Sequence, residues 1–187
     1  MSPNAITSWA SDATDLLIYM TGHGGDKTFR MGETEFLLAT DLDSWLDELQ
    51  CTLPGKVVIV FDGCQTGSFL PFLTPPSGKE RILITSASEG EYAYFTSMGS
   101  LSFSYIFWSH IFNGMNVDDA FILAQNAVSY TYSHQTPQLD DNGNGIGNED
   151  ADGVLSKATI IGNGVMSSGE VPVIGDVSPD QTLNGEQ

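Results

Sequence analysis

Apolar residues in this chain fall into runs of two kinds. Leu16-Leu17-Ile18-Tyr19-Met20, Val57-Val58-Ile59-Val60-Phe61 and Ile82-Leu83-Ile84 are unbroken, as strands covered on both faces are. They predict strands over residues 15–20, 56–61 and 81–85, and Ala158-Thr159-Ile160-Ile161 predicts a short last one. Elsewhere the apolar positions are spaced. Leu42, Trp45, Leu46 and Leu49 stand at i, i+3, i+4 and i+7, one face of a helix that Thr40 or Asp41 caps and Pro54-Gly55 ends. Leu101, Tyr105, Trp108 and Phe112 give a second helix face, closed by Gly114. Val117, Phe121, Ala124 and Val128 give a third, capped by Asn116. Residues 28–31 and 35–38 flank Gly32-Glu33-Thr34 as a hairpin, and residues 67–73 form a short helix before Pro75-Pro76. Residues 1–14 are polar and small, and read as the end of a helix or a lead-in. Strands alternating with helices predict an α/β domain with a mainly parallel sheet.

Charge narrows the partners. Six Lys and Arg stand against 24 Asp and Glu, a formal charge of −18. Such a field repels nucleic acid and anionic membrane surfaces and favours divalent cations or basic substrates. No apolar run reaches the length of a membrane span, so no membrane insertion is expected. Residues 1–10 hold neither a basic residue nor a long apolar stretch, so no export signal is visible within the chain. From about Gly162 the composition turns to Gly, Ser, Val and Pro. The expected division is a domain over residues 1–165 and a tail over residues 166–187. Val171-Pro172-Val173-Ile174 and Val177-Ser178-Pro179-Asp180 in that tail resemble a linker and the start of a bacterial immunoglobulin-like domain, implying further domains of one parent chain.

Two of the strand runs end on reactive side chains. The first runs into Thr21-Gly22-His23-Gly24-Gly25 and the second into Asp62-Gly63-Cys64-Gln65-Thr66-Gly67-Ser68. Parallel neighbours would open both tips at one sheet edge, where open α/β sheets hold their ligands. A thiol becomes a nucleophile when ionised, and a nearby imidazole acts as its base. Gly63 and Gly67 permit a tight turn that pushes Cys64 outward, while Gly22, Gly24 and Gly25 leave room for a substrate backbone. The N–H groups of Gly24 and Cys64 are natural oxyanion donors. Cys51 is the other cysteine; a Cys51–Cys64 disulfide would consume the nucleophile. His110 and His134 read as packing or capping residues. No Gly-x-Ser-x-Gly elbow, phosphate loop or dinucleotide fingerprint is present, and no organic cofactor is expected.

The order of strand, Thr-Gly-His-Gly, hairpin, helix, strand and Asp-Gly-Cys-Gln-Thr-Gly-Ser resembles the caspase-like clan of cysteine peptidases, most of all its legumain-like family. The 41-residue separation of His23 and Cys64 suits it. The likeness covers roughly residues 10–165. It implies a three-layer sandwich with a mainly parallel sheet flanked by helices, here lacking the first two strands of the family. It implies endopeptidase activity on a polypeptide substrate, with His23 as general base and acid and Cys64 forming an acyl-enzyme. It implies a P1 pocket lined by Gln65 and residues 86–91. There Ser88, Glu89 and Glu91 would face an Asn, Arg or Lys side chain.

One motif remains. Asp140, Asn142, Asn144, Gly145, the Ile146 carbonyl and Asn148 follow the spacing of an EF-hand-type calcium loop, but its twelfth, closing position is Ala151, so that Asp150 or Asp152 beside it would have to close the loop. Calcium is the expected cofactor, the alternative being a solvated acidic turn, and the resemblance implies that calcium controls activation or stability. Millimolar calcium outside the cell suits a weak site, consistent with an extracellular or cell-surface protein. The competing reading is a non-catalytic calcium-binding scaffold or adhesion module with a vestigial dyad.

Overall fold

The computed structural model describes Ala10, residues 13–96, Gly99 and residues 101–162. The expected division at residue 166 and the tail beyond it lie outside the described residues. In chain order the elements are β1 (Leu16–Thr21), β2 (Gly24–Gly25), β3 (Thr28–Arg30), β4 (Phe36–Leu38), α1 (Ala39–Gln50) and β5 (Val57–Asp62). Then come a 3-10 helix (Thr66–Phe72), β6 (Arg81–Thr85), α2 (Phe103–Phe112), α3 (Val117–Thr131), β7 (Gln138–Asp140) and α4 (Val154–Lys157). The main sheet has the order β1-β5-β6-β7. Its first three strands are parallel and β7 is antiparallel. Strands β2, β3 and β4 form a separate antiparallel sheet.

The unbroken apolar runs are buried on both sides, as their composition requires: every residue of β5 and β6 is buried. Strand alternation divides them between two cores. Val57, Ile59, Phe61 and Leu83 face Leu42, Leu46 and Leu49 of α1 together with Phe69, Leu70 and Leu73. Val58, Val60, Ile82 and Ile84 face Phe103 and Phe107 of α2 and Ala120, Ala124 and Val128 of α3. Each large side chain so buried contributes about 1.5–3 kcal/mol. The result is helix, sheet, helix: the expected three-layer α/β sandwich. Among the described residues β1 pairs only with β5, and Leu17 and Tyr19 on it are exposed. No helix among the described residues is long and apolar enough to cross a membrane.

Three local expectations need correction. The inward face of α2 is Phe103, Phe107 and Ile111, whereas Leu101, Tyr105 and Phe112 are exposed. The segment is apolar almost all round, so periodicity alone offers two faces. Packing selects the one whose phenylalanines stack at 5.7 Å and meet Phe121. Trp108 instead turns toward Tyr19, edge-on at 5.2 Å. Second, α1 begins at Ala39 without a side-chain cap, because Lys27 O accepts the Ala39 N–H at 3.0 Å and the hairpin does the capping. Third, residues 158–161 form only an isolated bridge between Ile160 and Asn116. The fourth sheet strand is β7, whose single apolar residue, Leu139, gives no alternation to read. Asn116 caps α3 as expected, its side chain accepting the Asp119 N–H at 2.8 Å.

Arg81 opens β6 fully buried. Its Nε donates to Gln50 Oε1 at 2.6 Å, Nη1 to Asp43 Oδ1 at 2.9 Å and to Thr74 O at 3.3 Å, and Nη2 to Asp47 Oδ1 at 2.5 Å. It thereby ties α1 to the sheet. Burial pushes the Asp43 carboxyl above its usual range, with the Arg81 hydrogen bond opposing. Removing the guanidinium leaves the buried Gln50 Oε1 without that donor and takes the counter-charge from Asp43 and Asp47. Arg81→Met is expected to lower the urea midpoint by the equivalent of about 3 kcal/mol with an unchanged m-value.

Candidate active site

Register decides where the two motif side chains emerge. β1 and β5 pair in parallel from Leu16 opposite Val57 to Thr21 opposite Asp62, so both runs stop at the same edge. Gly22 extends the ladder one step, its N–H donating to Asp62 O at 3.0 Å. His23 follows on one loop and Cys64 on the other. The loops touch through backbone: a Cβ on Gly24 would collide with the Cys64 carbonyl, and one on Gly63 would lie 2.7 Å from Gly22 O. Gly24 is therefore required by this close approach, not by room for substrate alone. His23 is exposed and Cys64 half-buried. Both cysteines are free thiols, so no Cys51–Cys64 bond forms; the exposed Cys51 donates to Asp47 O.

The turn carrying Cys64 is held from several sides. Gln65 adopts φ 57° and ψ 18°, a left-handed conformation that a side-chain-bearing residue keeps only where its surroundings hold it. Ser86 Oγ accepts the Gly63 N–H at 3.1 Å, and Thr66 Oγ1 donates to Gly63 O at 3.0 Å. Glu91 O accepts the Gln65 N–H and Ala87 O the Gly67 N–H, each at 2.8 Å. The segment after β6 is thus the wall beside Cys64.

The expected pocket residues have structural partners. Glu91 Oε2 accepts from the N–H groups of Ser88 at 3.1 Å and Thr136 at 2.7 Å, and Oε1 accepts from Thr136 Oγ1 at 3.0 Å. Ser88 Oγ donates to Thr136 O at 3.1 Å. Glu89 stays exposed. Gln135, buried, continues the seam: its Oε1 accepts the Tyr94 N–H and its Nε2 donates to Ser86 O. Sequence reasoning missed Gln135 and Thr136. The one available signal was the nearby Pro137, which marks an extended approach to a strand.

The acidic loop is closed by its own backbone. Asp140 accepts from Gly143 N and Gly145 N, Asn142 from Asn144 N, Asn144 from Ile146 N, and Asn148 from Leu139 N. Asp152 accepts from Asp141 N and Glu149 N, while Asp150 is exposed. Asp141 accepts from Gly153 N and Ser156 N at the start of α4. Glu149 reaches back to the side-chain amides of Asn142 and Asn144. Burial pushes the Asp140 carboxyl upward, against the hydrogen bonds from Gly143 and Gly145. The donor set is all oxygen, as a hard cation needs, but among the described residues no three of His, Cys, Asp and Glu gather to hold a metal.

Asp62, two residues before Cys64, is 1% exposed. Its Oδ2 accepts the Ser104 N–H at 3.0 Å, while Oδ1 has no hydrogen-bond partner. Burial raises its pKa above 3.8, opposed by the hydrogen bond from Ser104. A raised carboxyl contributes stability that is present below the unfolded value and lost as pH rises through the folded one. Asp62→Asn keeps an acceptor for Ser104 and removes that loss. Its melting temperature is expected to exceed that of the native protein at pH 7, with the gap closing as pH falls to about 3.5.

The peptidase C13 family matches residues 2–138, a span holding both strand tips and the wall beside Cys64. No curated protein matches the chain. With that match over most of its length, on a parallel α/β sheet of the caspase-like kind, the chain belongs to the peptidase C13 family, the legumain family of cysteine peptidases.

Proposed function

We propose that this domain is a cysteine endopeptidase working through His23 and Cys64. The observation that carries the reading is the parallel register of β1 and β5, which brings both glycine-flanked tips to one edge with Gly24 against the Cys64 carbonyl. His23 takes the Cys64 thiol proton, and the thiolate attacks the scissile carbonyl carbon. The carbonyl oxygen gains the electron pair and is held by the N–H groups of Gly24 and Cys64. Collapse expels the amine, which takes the proton from His23 and leaves a thioester on Cys64. Water, deprotonated by His23, then hydrolyses that thioester and frees the thiol.

Gln65, Ser88 and Glu91 are the P1-side residues in this reading. The carboxylate of Glu91 serves chiefly to brace the wall, since Ser88 and Thr136 occupy both its oxygens. Exposed Glu89 and the overall charge of −18 favour a polar or cationic P1 side chain, Asn, Arg or Lys. Calcium enters as a stabilising ligand of the loop at residues 140–152. Asp140, Asn142, Asn144, the Ile146 carbonyl, Asn148, Asp150 and Asp152 are its candidate oxygens. A location outside the cell, where calcium is millimolar, agrees with such a site.

Fluorogenic peptides spanning a broad P1 set test the activity. Cys64→Ala is expected to lower kcat/KM by about 10⁴-fold or more, and Cys51→Ala to leave it within about twofold. A protein that cuts no peptide, whose Cys64 resists iodoacetamide, and whose melting temperature rises sharply with calcium over chelator would instead be the non-catalytic calcium module.

A further inference from the structure

One buried hydroxyl joins the two loops of the site. Ser68, in the 3-10 helix after Cys64, is 2% exposed. Its Oγ accepts the Lys27 N–H at 2.8 Å and donates its single proton to Gln65 O at 2.6 Å. Lys27 lies 41 residues away along the chain, on the turn that follows His23, Gly24 and Gly25. Gln65 is the residue next to Cys64. Both are left-handed without being glycine, Lys27 with φ 55° and Gln65 with φ 57°. Each of the two loops therefore carries one such residue, and a single oxygen bonds to both.

The geometry around that oxygen gives it a particular task. The contacts at Gly22, Gly24 and Gly63 join the loops close to the strand tips. Lys27 against Ser68 ties them farther out, beyond Gly25 on one side and Gln65 on the other. The Lys27 peptide is also held from behind, because Lys27 O accepts the Ala39 N–H at the start of α1. The histidine loop is thus clamped between α1 and the cysteine turn. Gln65 O keeps a second donor, the Ser68 N–H at 3.0 Å, so losing the hydroxyl does not strand it. The Lys27 N–H does lose its acceptor, but it belongs to an exposed residue that water can reach, so the main contribution of the hydroxyl is to alignment.

We propose that Ser68 is a positioning residue for the peptidase reaction: its hydroxyl pins the His23 loop to the Cys64 turn. The pin sets the spacing of base and nucleophile and of the two oxyanion donors. It rests on the Cys–His reading above. Reaction rate depends steeply on such spacing, since a displacement near 1 Å costs on the order of 10²-fold.

The test uses the full chain carrying Cys51→Ala, so that Cys64 is the only thiol, with Ser68→Ala, Ser68→Gly and Ser68→Thr. Four quantities are read: kcat and KM on a cleaved peptide, the rate of iodoacetamide alkylation of Cys64 at pH 6, and the melting temperature. Ala and Gly both delete the hydroxyl with different shapes, so either folded variant suffices. The expected result is a kcat lower by about tenfold or more with KM within about twofold, slower alkylation, and a melting temperature close to that of the parent. Ser68→Thr, which keeps the oxygen, is expected to recover most of both rates. A folded Ser68→Ala with the parent's kcat and alkylation rate overturns the pin and leaves the peptidase reading standing. So does a folded Ser68→Thr as slow as Ser68→Ala. A parent protein that cleaves nothing, yet whose Cys64 alkylation falls on Ser68→Ala and returns on Ser68→Thr, sinks the peptidase reading and with it the role in catalysis, and keeps only the link that Ser68 makes between the two loops. Slow alkylation at one rate in all variants overturns it.

Discussion

Parallel pairing of β1 with β5 is the constraint on which everything at the site depends. The ladder runs from Leu16 opposite Val57 to Thr21 opposite Asp62 and continues through Gly22 to Asp62. A slip of one residue would invert which β1 side chains face the α1 core, exposing Leu16, Ile18 and Met20 from that face. The hydrophobic pattern of the strands therefore sets the position of His23 relative to Cys64, though neither residue takes part in the core. Apolar burial supplies the alignment, and glycines at the tips let the two loops come together.

The polar tips sit on this apolar base at some cost. Asp62 is buried with one unpartnered oxygen, and Gln65 and Lys27 hold left-handed backbones. Such features persist where the surrounding structure over-determines them. Here the hydroxyls of Ser86, Thr66 and Ser68 and the carbonyls of Ala87 and Glu91 do so. Arg81 does comparable work at the other end of the sheet, tying β6 to α1.

What could be read from the chain follows from which interactions are local. β5 and β6 were legible because strands buried on both faces show unbroken apolar runs. α1 and α3 were legible because apolar residues recur at helical spacing on the face that each buries. The inward face of α2 was not, since Phe103-Ser104-Tyr105-Ile106-Phe107-Trp108 offers apolar residues on every side. β7 was missed because three residues with one leucine carry no period. At the candidate site, His23 and Cys64 stood out through their flanking glycines. The partners of Glu91 and Ser68 lie 45 and 41 residues away, and no local pattern encodes a hydrogen bond across such a separation.

The most direct measurement is a crystal structure grown with a peptide aldehyde. The account predicts a thiohemiacetal on Cys64 Sγ, its oxygen within about 3 Å of the N–H groups of Gly24 and Cys64, and the His23 imidazole within hydrogen-bond reach of that centre. An aldehyde that leaves Cys64 unmodified, or an adduct whose oxygen points away from both N–H groups with His23 out of reach, would contradict it.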